Sequence, residues 1–317
     1  MVQHSQYFTF TIHIMNPQEI EFFRKQQLEF IDVIGYGSYG IIYYVYSTVY
    51  REYFVLKKIS KASFNKTEVE CLMLIDDERI VRLYKFYEFE GFIYLLMEYC
   101  PFDLERLLID RSKLVNLHKY ISDIVNAVKA CHDRKIAHCD IKCSNFLIDS
   151  YGRMKLGDFG MSTICSSRNH CNIGMKGTLN YISPEILESD EYDPIKSDIW
   201  SIGVTIFYVA TGKYPFFGSD EHGLRQNIIE CNYAKDMIRD PELRDLISKC
   251  LQVKPESRCS IEELIHHPYF STPHPGITKT LSQKNNIIVA KPRIGSRQVI
   301  PKFRSVPNMF NSSLVKI

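Results

Sequence analysis

Residues 34–42 read IGYGSYGII, and what flanks them limits how the chain can fold. LEFIDVI leads into the segment and IIYYVYSTV leads out, both rich in the β-branched and aromatic residues that suit strands. In a dinucleotide-binding unit a Gly-x-Gly-x-x-Gly segment opens a helix. Here it joins two strands, which puts the glycines at the tip of a β-hairpin. Gly35, Gly37 and Gly40 carry no Cβ, so their backbone N–H groups can close over phosphate oxygens. Ile34, Gly35, Tyr36, Gly37, Ser38, Tyr39, Gly40, Ile41 and Ile42 are therefore candidate contacts to a phosphate-bearing ligand. By itself the segment reads equally well as an ordinary turn.

The next strand, EYFVLKKI, carries Lys57, whose ammonium can reach phosphates held under the hairpin. A buried lysine requires a partner. The helical pattern of KTEVECLMLI supplies one in Glu68, with Cys71, Leu72 and Ile75 completing an apolar face at i+3, i+4 and i+7. Glu70 competes, but its i+4 and i+7 positions are Leu74 and Asp77, a poorer face. Two more strand-like runs follow, IVRLYKFYEF and FIYLLMEYC. After Pro101 the period turns helical, from DLERLL through HKYISDIVNAVKACHDRK, and again near 198–210, 241–251 and 260–266. This order predicts an α+β protein with a sheet-rich N-terminal lobe and a mostly helical C-terminal lobe.

These motifs in this order, with HCDIKCSNFLI at 138–148 and LGDFG at 156–160, resemble the eukaryotic protein kinase superfamily, serine/threonine type. The resemblance covers residues 28–270, with lobes at 28–98 and 101–270, an N-terminal extension over 1–27 and a basic, disordered tail over 271–317. It implies MgATP between the lobes. MEYC, 97–100, becomes the hinge, with Met97 as gatekeeper and the backbones of Glu98 and Cys100 at the adenine edge. Ile42, Val55 and Leu147 sandwich the base, Val55 standing where the family usually has alanine and narrowing the slot.

By the same resemblance Asp140 accepts the proton of the substrate hydroxyl, Lys142 neutralises the transferring phosphate, and Asn145 and Asp158 hold Mg2+. Singly, such Asp and Asn residues are usually cap or turn residues rather than catalytic ones; their order and spacing together decide. Thr178 is implied to hydrogen-bond Asp140 and Lys142, Glu185 to pair with Arg258, and Asp198 to hold the catalytic-loop backbone.

Cys139 departs from the pattern, standing where the family carries an arginine that binds a phosphate on the activation loop. The corresponding stretch of that loop, NIGM at 172–175, has no hydroxyl, although Thr163, Ser166 and Ser167 remain possible modification sites. Switch and receptor are absent together, which predicts an enzyme active without loop phosphorylation. The alternative is a pseudokinase scaffold, which the retention of Lys57, Asp140 and Asp158 disfavours. A small-molecule kinase is disfavoured by GTLNYISPE, 177–185, which resembles the family's peptide-docking segment with Ser183 in place of alanine. Ser144, where arginine-directed kinases often carry glutamate, and Asp103 as the only obvious acidic residue just after the hinge argue against strong preference for basic substrates. The catalytic loop and SIEELIHHPYF are similar to monopolar-spindle and related cell-cycle kinases.

Partners are thus expected to be protein substrates met by a monomer. The ten cysteines are irregularly spaced behind an N-terminus without signal-peptide character, which predicts reduced thiols in an intracellular protein. A metal site from Cys165, His170 and Cys171 lacks a completing cluster. IGVTIFYVA is about half a bilayer span, so no membrane segment is predicted. No Asp or Glu follows Glu263 whereas eight Lys or Arg do, leaving 31 basic against 37 acidic residues before that point. That basic tail reads as solvated chain, with an acidic partner or nucleic acid as the functional alternative.

Overall fold

The computed structural model describes residues 16–37, 40–110, 116–165, 179–189 and 191–271. Helix α1, Pro17–Lys25, comes first; Asn16 caps it by accepting from the Gln18 N–H, and Pro17 occupies its first turn. Strands β1 (Leu28–Gly37), β2 (Gly40–Ser47) and β3 (Glu52–Ser60) form a meander, followed by α2 (Lys66–Leu74), β4 (Leu83–Phe89) and β5 (Phe92–Glu98). The five strands make one antiparallel sheet in the order β1-β2-β3-β5-β4.

The chain then becomes mostly helical. Short strand β6 (Phe102–Asp103) leads into α3 (Leu104–Ile109) and α4 (Leu117–His132). Strands β7 (Ile136–Ala137), β8 (Phe146–Ile148), β9 (Met154–Leu156) and β10 (Thr163–Ile164) fold the catalytic-loop region into small antiparallel pairs. Next come α5 (Pro184–Glu188), α6 (Pro194–Thr211), α7 (Glu221–Ile229), α8 (Pro241–Cys250), α9 (Ile261–Ile265) and α10 (Pro268–Ser271). Asp193 caps α6 and Gly212, at φ +76°, ends it in the left-handed conformation. The run IGVTIFYVA lies in α6, buried from Ser197 to Phe207 at the centre of the helical lobe. No helix among the described residues is long and apolar enough to cross a membrane.

Strand β5 is buried on both faces, and its alternation shows why. Ile93, Leu95 and Met97 point into the main core, which continues through Leu72, Ile124, Phe146, Phe159 and Trp200. Tyr94 and Leu96 point the other way, into a second core with Phe22, Phe23, Tyr43, Val45, Phe54 and Leu56. Helix α1 therefore covers the outer face of the sheet. The sequence reading gives residues 1–27 as an N-terminal extension, and within it residues 17–25 pack against the small lobe.

Glu19 fixes α1 in place. Its buried carboxylate accepts from Tyr94 Oη at 2.9 Å and Tyr43 Oη at 3.2 Å, and pairs with Lys58 Nζ at 3.0 Å. Burial and this carboxylate hold both phenols well above the ordinary tyrosine pKa. Glu19→Ala leaves an ammonium and two buried hydroxyls without their acceptor. Its expected cost is about 3 kcal/mol, or about 6–12 °C in the thermal midpoint. Glu19→Gln, which keeps an acceptor, is expected to lose less, and an unchanged midpoint in both variants would contradict the docking of α1.

Candidate functional site

The site is assembled where the lobes meet. Lys57 on β3 donates to Glu68 Oε1 on α2 at 2.8 Å and to Asp158 Oδ1 at 2.8 Å. Burial opposes the charge on Lys57, but the two carboxylates outweigh it and raise its pKa. Glu68 is pushed upward by its own burial, which Lys57 only partly offsets. Asp158 is lowered: enclosure raises it, and Lys57, His138 and Lys142 more than reverse that. Lys57 is thus the positive centre of a three-residue bridge between the lobes, and Glu68 rather than Glu70 is its helix partner. Asn65 Nδ2 adds a second tie, donating to the Gly160 carbonyl at 3.3 Å.

The catalytic loop is held from beneath by Asp198 of α6. Its carboxylate accepts from the His138 N–H at 2.7 Å and the Cys139 N–H at 2.9 Å, and contacts His132 Nε2 at 3.0 Å. Cys139 has φ +62°, a conformation costly for a residue with a Cβ. Two hydrogen bonds from successive N–H groups to one buried carboxylate offset that cost. The Asp140 N–H donates to His138 Nδ1, so Nε2 carries the ring proton and donates to the Gly157 carbonyl at 2.9 Å. His138 also meets Phe159 edge-on, with centroids 4.9 Å apart.

Asp140 Oδ2 receives Lys142 Nζ at 2.9 Å and Asn145 Nδ2 at 2.9 Å. The Gly157 N–H donates to the Asn145 carbonyl at 2.9 Å, so the β8–β9 hairpin does return Asp158 to the neighbourhood of Asn145. With Nδ2 of Asn145 committed to Asp140 and Oδ1 of Asp158 to Lys57, Asn145 Oδ1 and Asp158 Oδ2 remain. Two hard oxygen donors suit Mg2+, which takes few protein ligands and keeps waters. No group of three or more His, Cys, Asp or Glu side chains arranged to hold a metal occurs among the described residues.

The glycine-rich hairpin is built as expected, with a different reason for one glycine. A Cβ on Gly40 would lie 1.7 Å from the Lys58 carbonyl oxygen, so glycine is required there by the approach of β3. Ile42 pairs with both Gly35 and Lys57 and shares the inner face with Lys57. Ile41 pairs with Tyr36 and Lys58 on the opposite face and packs against the outer core. Strand alternation turns the Ile41 side chain away from the inner side, so what Ile41 offers there is its backbone. Tyr36 shares that outward face, and Ile34 is exposed beside the second irregularity of β1. Ser38, Tyr39 and Thr178 lie outside the described residues, as do Ser166, Ser167, His170, Cys171, residues 172–175, residues 1–15 and the tail from 272.

On the roof of the junction Val55 pairs with Met97 and with Tyr44, and Leu147 on β8 lies against Gly157. The Glu98 N–H is already donated to the Arg82 carbonyl at 2.9 Å, so its carbonyl is the backbone group left to an edge-on ligand. Burial pushes the Cys100 thiol up to about 12. The sequence reading missed Lys155 of β9, a nearly buried lysine that pairs with Glu98 at 3.1 Å and donates to the Glu78 carbonyl at 2.7 Å. A lysine inside the apolar MKL strand was its only local signal.

Below the site, Arg258 forks onto Glu185 with bonds of 2.7 and 2.6 Å, its guanidinium fully buried and lying over Trp200. Ser183, unusual for its position, shares a buried hydrogen bond of 3.0 Å with Ser197.

A family profile described as "Protein kinase domain" matches residues 28–270. The chain belongs to the protein kinase family. It has the bilobal α+β fold of that family, and its curated relatives are consistent with the serine/threonine type. It is 31% identical over 253 residues to "Probable serine/threonine-protein kinase MARK-A" of Dictyostelium discoideum, covering 76% of this chain and 24% of the relative. It is 30% identical over 282 residues to "Serine/threonine-protein kinase ULK3" of Xenopus laevis, covering 84% and 60%. It is 31% identical over 276 residues to "SNF-related serine/threonine-protein kinase" of Homo sapiens, covering 80% and 34%. The matched stretch spans about a quarter to three fifths of these relatives' lengths.

Proposed function

We propose that the chain is a protein serine/threonine kinase, transferring the γ-phosphoryl group of ATP to Ser or Thr hydroxyls of protein substrates without prior activation-loop phosphorylation. The observation that carries this reading is Lys57 bonded at 2.8 Å to Glu68, the ion pair phosphoryl transfer uses, and at 2.8 Å to Asp158 beside it, in a chain whose catalytic loop has Cys139.

In this reading the inner face of β2 and β3, with Ile42 and Val55, covers the adenine from above and Leu147 supports it from below. The Glu98 carbonyl and the Cys100 backbone address its edge, and Lys57 holds the α- and β-phosphates. Asn145 and Asp158 would hold Mg2+, which when bound supplies positive charge for the phosphate oxygens. Asp140 Oδ2 is occupied by Lys142 and Asn145, which leaves Oδ1 to accept from the substrate hydroxyl and aim it at the γ-phosphorus. The hydroxyl oxygen forms its bond to phosphorus as the bond to the β-phosphate oxygen breaks, and the hydroxyl proton passes to Asp140. Lys142, already paired with Asp140, sits where it can shift its charge to the transferring group. Glu185 and Arg258 anchor the end of the segment that presents the substrate.

The test of the unswitched state is phosphatase treatment of the purified chain before assay. The treated enzyme is expected to keep its rate, and a fall of about tenfold or more would contradict independence from loop phosphate.

A further inference from the structure

Strand β5 ends at Glu98, so Tyr99 and Cys100 lie past the ladder that fixes the strand against β3. In the nucleotide-binding reading the Glu98 carbonyl and the Cys100 N–H address the adenine edge. Those two groups belong to the planar peptide units on either side of Tyr99. What holds the Tyr99 side chain therefore sets the direction of both.

A row of tyrosines reaches that side chain from the sheet. Tyr44 follows Ile42 by two residues on β2, which puts it on the same inner face, opposite Val55 of β3. Its ring centroid lies 4.5 Å from that of Tyr99, with 43° between the planes. Tyr44 also stacks on Tyr53 of β3 at 5.0 Å and 16°, and Tyr53 meets its cross-strand partner Tyr46 at 5.1 Å and 60°. Tyr46–Tyr53 is a directly opposed pair and Tyr44–Tyr53 a diagonal one, the two ways in which side chains of adjacent strands support each other. Burial pushes the Tyr44 phenol up to about 12 and raises that of Tyr99 as well. The Tyr44 ring is thus braced by β3 while it touches the hinge, and it cannot leave Tyr99 without also giving up its stack on Tyr53.

We propose that Tyr44 is a positioning residue for the nucleotide base: by packing on Tyr99 it holds the Glu98 carbonyl and the Cys100 N–H in the orientation that meets adenine. The inference rests on the nucleotide-binding reading given above and deepens it. Because Tyr44 shares a face with Ile42 and stands opposite Val55, one ring links the roof of the base site to its edge. The phosphates are held elsewhere in that reading, by Lys57 and the glycine-rich hairpin. Loss of the Tyr44–Tyr99 contact therefore weakens a ligand through its base and leaves the transfer step unchanged.

The test titrates the full chain with adenosine and with MgATP by calorimetry and pairs each titration with steady-state kinetics. Tyr44→Ala is expected to weaken both ligands by the same factor, about three- to tenfold, and to raise KM for ATP with kcat within about twofold of the parent. Tyr44→Phe keeps the ring and is expected to bind as the parent does. Tyr99→Ala lies beyond the ladder and leaves the sheet intact. It is expected to match Tyr44→Ala, and combining the two is expected to cost no more than either alone, since both remove one contact. Phe89→Ala breaks a ring stack of 4.4 Å with Phe22 on the outer face of the same sheet. It is expected to lower the thermal midpoint and to leave adenosine affinity within about twofold. Adenosine affinity unchanged in Tyr44→Ala and Tyr99→Ala, a fall in kcat in place of affinity, or an equal loss of affinity in Phe89→Ala would overturn the role of Tyr44 alone. A parent chain that binds neither adenosine nor MgATP would overturn the nucleotide-binding reading and this inference with it.

Discussion

Asp140→Asn is expected to lower phosphoryl transfer by about 10³-fold or more while leaving ATP affinity within about twofold. The replacement keeps the shape of the side chain and an oxygen for Lys142 or Asn145 to donate to, so the loop geometry survives. It removes the charge that Lys142 answers and the group that takes the substrate proton. In the proposed mechanism nucleotide binding rests on other residues, namely Lys57, the glycine-rich hairpin and the hinge backbone. The comparison therefore pairs single-turnover transfer with ATP titration on the same preparations. A variant that phosphorylates as fast as its parent would remove Asp140 from the proposed mechanism.

Lys57→Met is expected to have an effect of similar size with a different signature. Transfer falls by about 10²–10³-fold because the phosphates lose their fixed cation and Glu68 loses its partner. Glu68 is then an unpaired carboxylate with only 3% of its side chain exposed. Burial already raises its pKa, and without Lys57 it rises further. A carboxyl whose folded pKa exceeds its unfolded one binds more protons when folded, so stability falls as pH rises above the unfolded value of about 4.3. The variant is therefore expected to melt higher at pH 5 than at pH 7.5, by more than the parent does. Adding Glu68→Gln is expected to lessen that dependence without restoring transfer, the remainder coming from Asp158, which loses the same partner. A single variant whose melting follows pH as the parent's does would contradict the pairing.

The residues proposed for the chemistry were legible because kinase motifs recur in fixed order, so Lys57, Glu68, Asp140, Asn145 and Asp158 could be named before their contacts were known. The choice of Glu68 over Glu70 rested on helical period alone, and the 2.8 Å bond to Lys57 agrees with it. Helix α1 was missed despite two local signals. Asn16-Pro17 is a helix start, and the unbroken apolar run in FIYLLME implies a strand covered on both faces. Neither signal says which element does the covering, since Glu19 meets Tyr94 across 75 residues of sequence. Lys155 was invisible for the same reason, because its partners Glu98, at the end of β5, and Glu78, between α2 and β4, both come from the other lobe. A loop motif assigns Ile41 by position and does not say which way its side chain faces, which strand alternation decides. Short motifs such as SIEELIHHPYF carry little that separates one kinase subfamily from another, so they left the substrate open.

The most direct measurement incubates the phosphatase-treated full chain with a degenerate Ser/Thr/Tyr peptide library, Mg2+ and γ-labelled ATP, with Asp140→Asn alongside. Label on serine and threonine peptides from the parent, absent with the variant and without Mg2+, is the predicted result. Nucleotide binding with no label on any peptide, or label confined to tyrosine, would contradict the account.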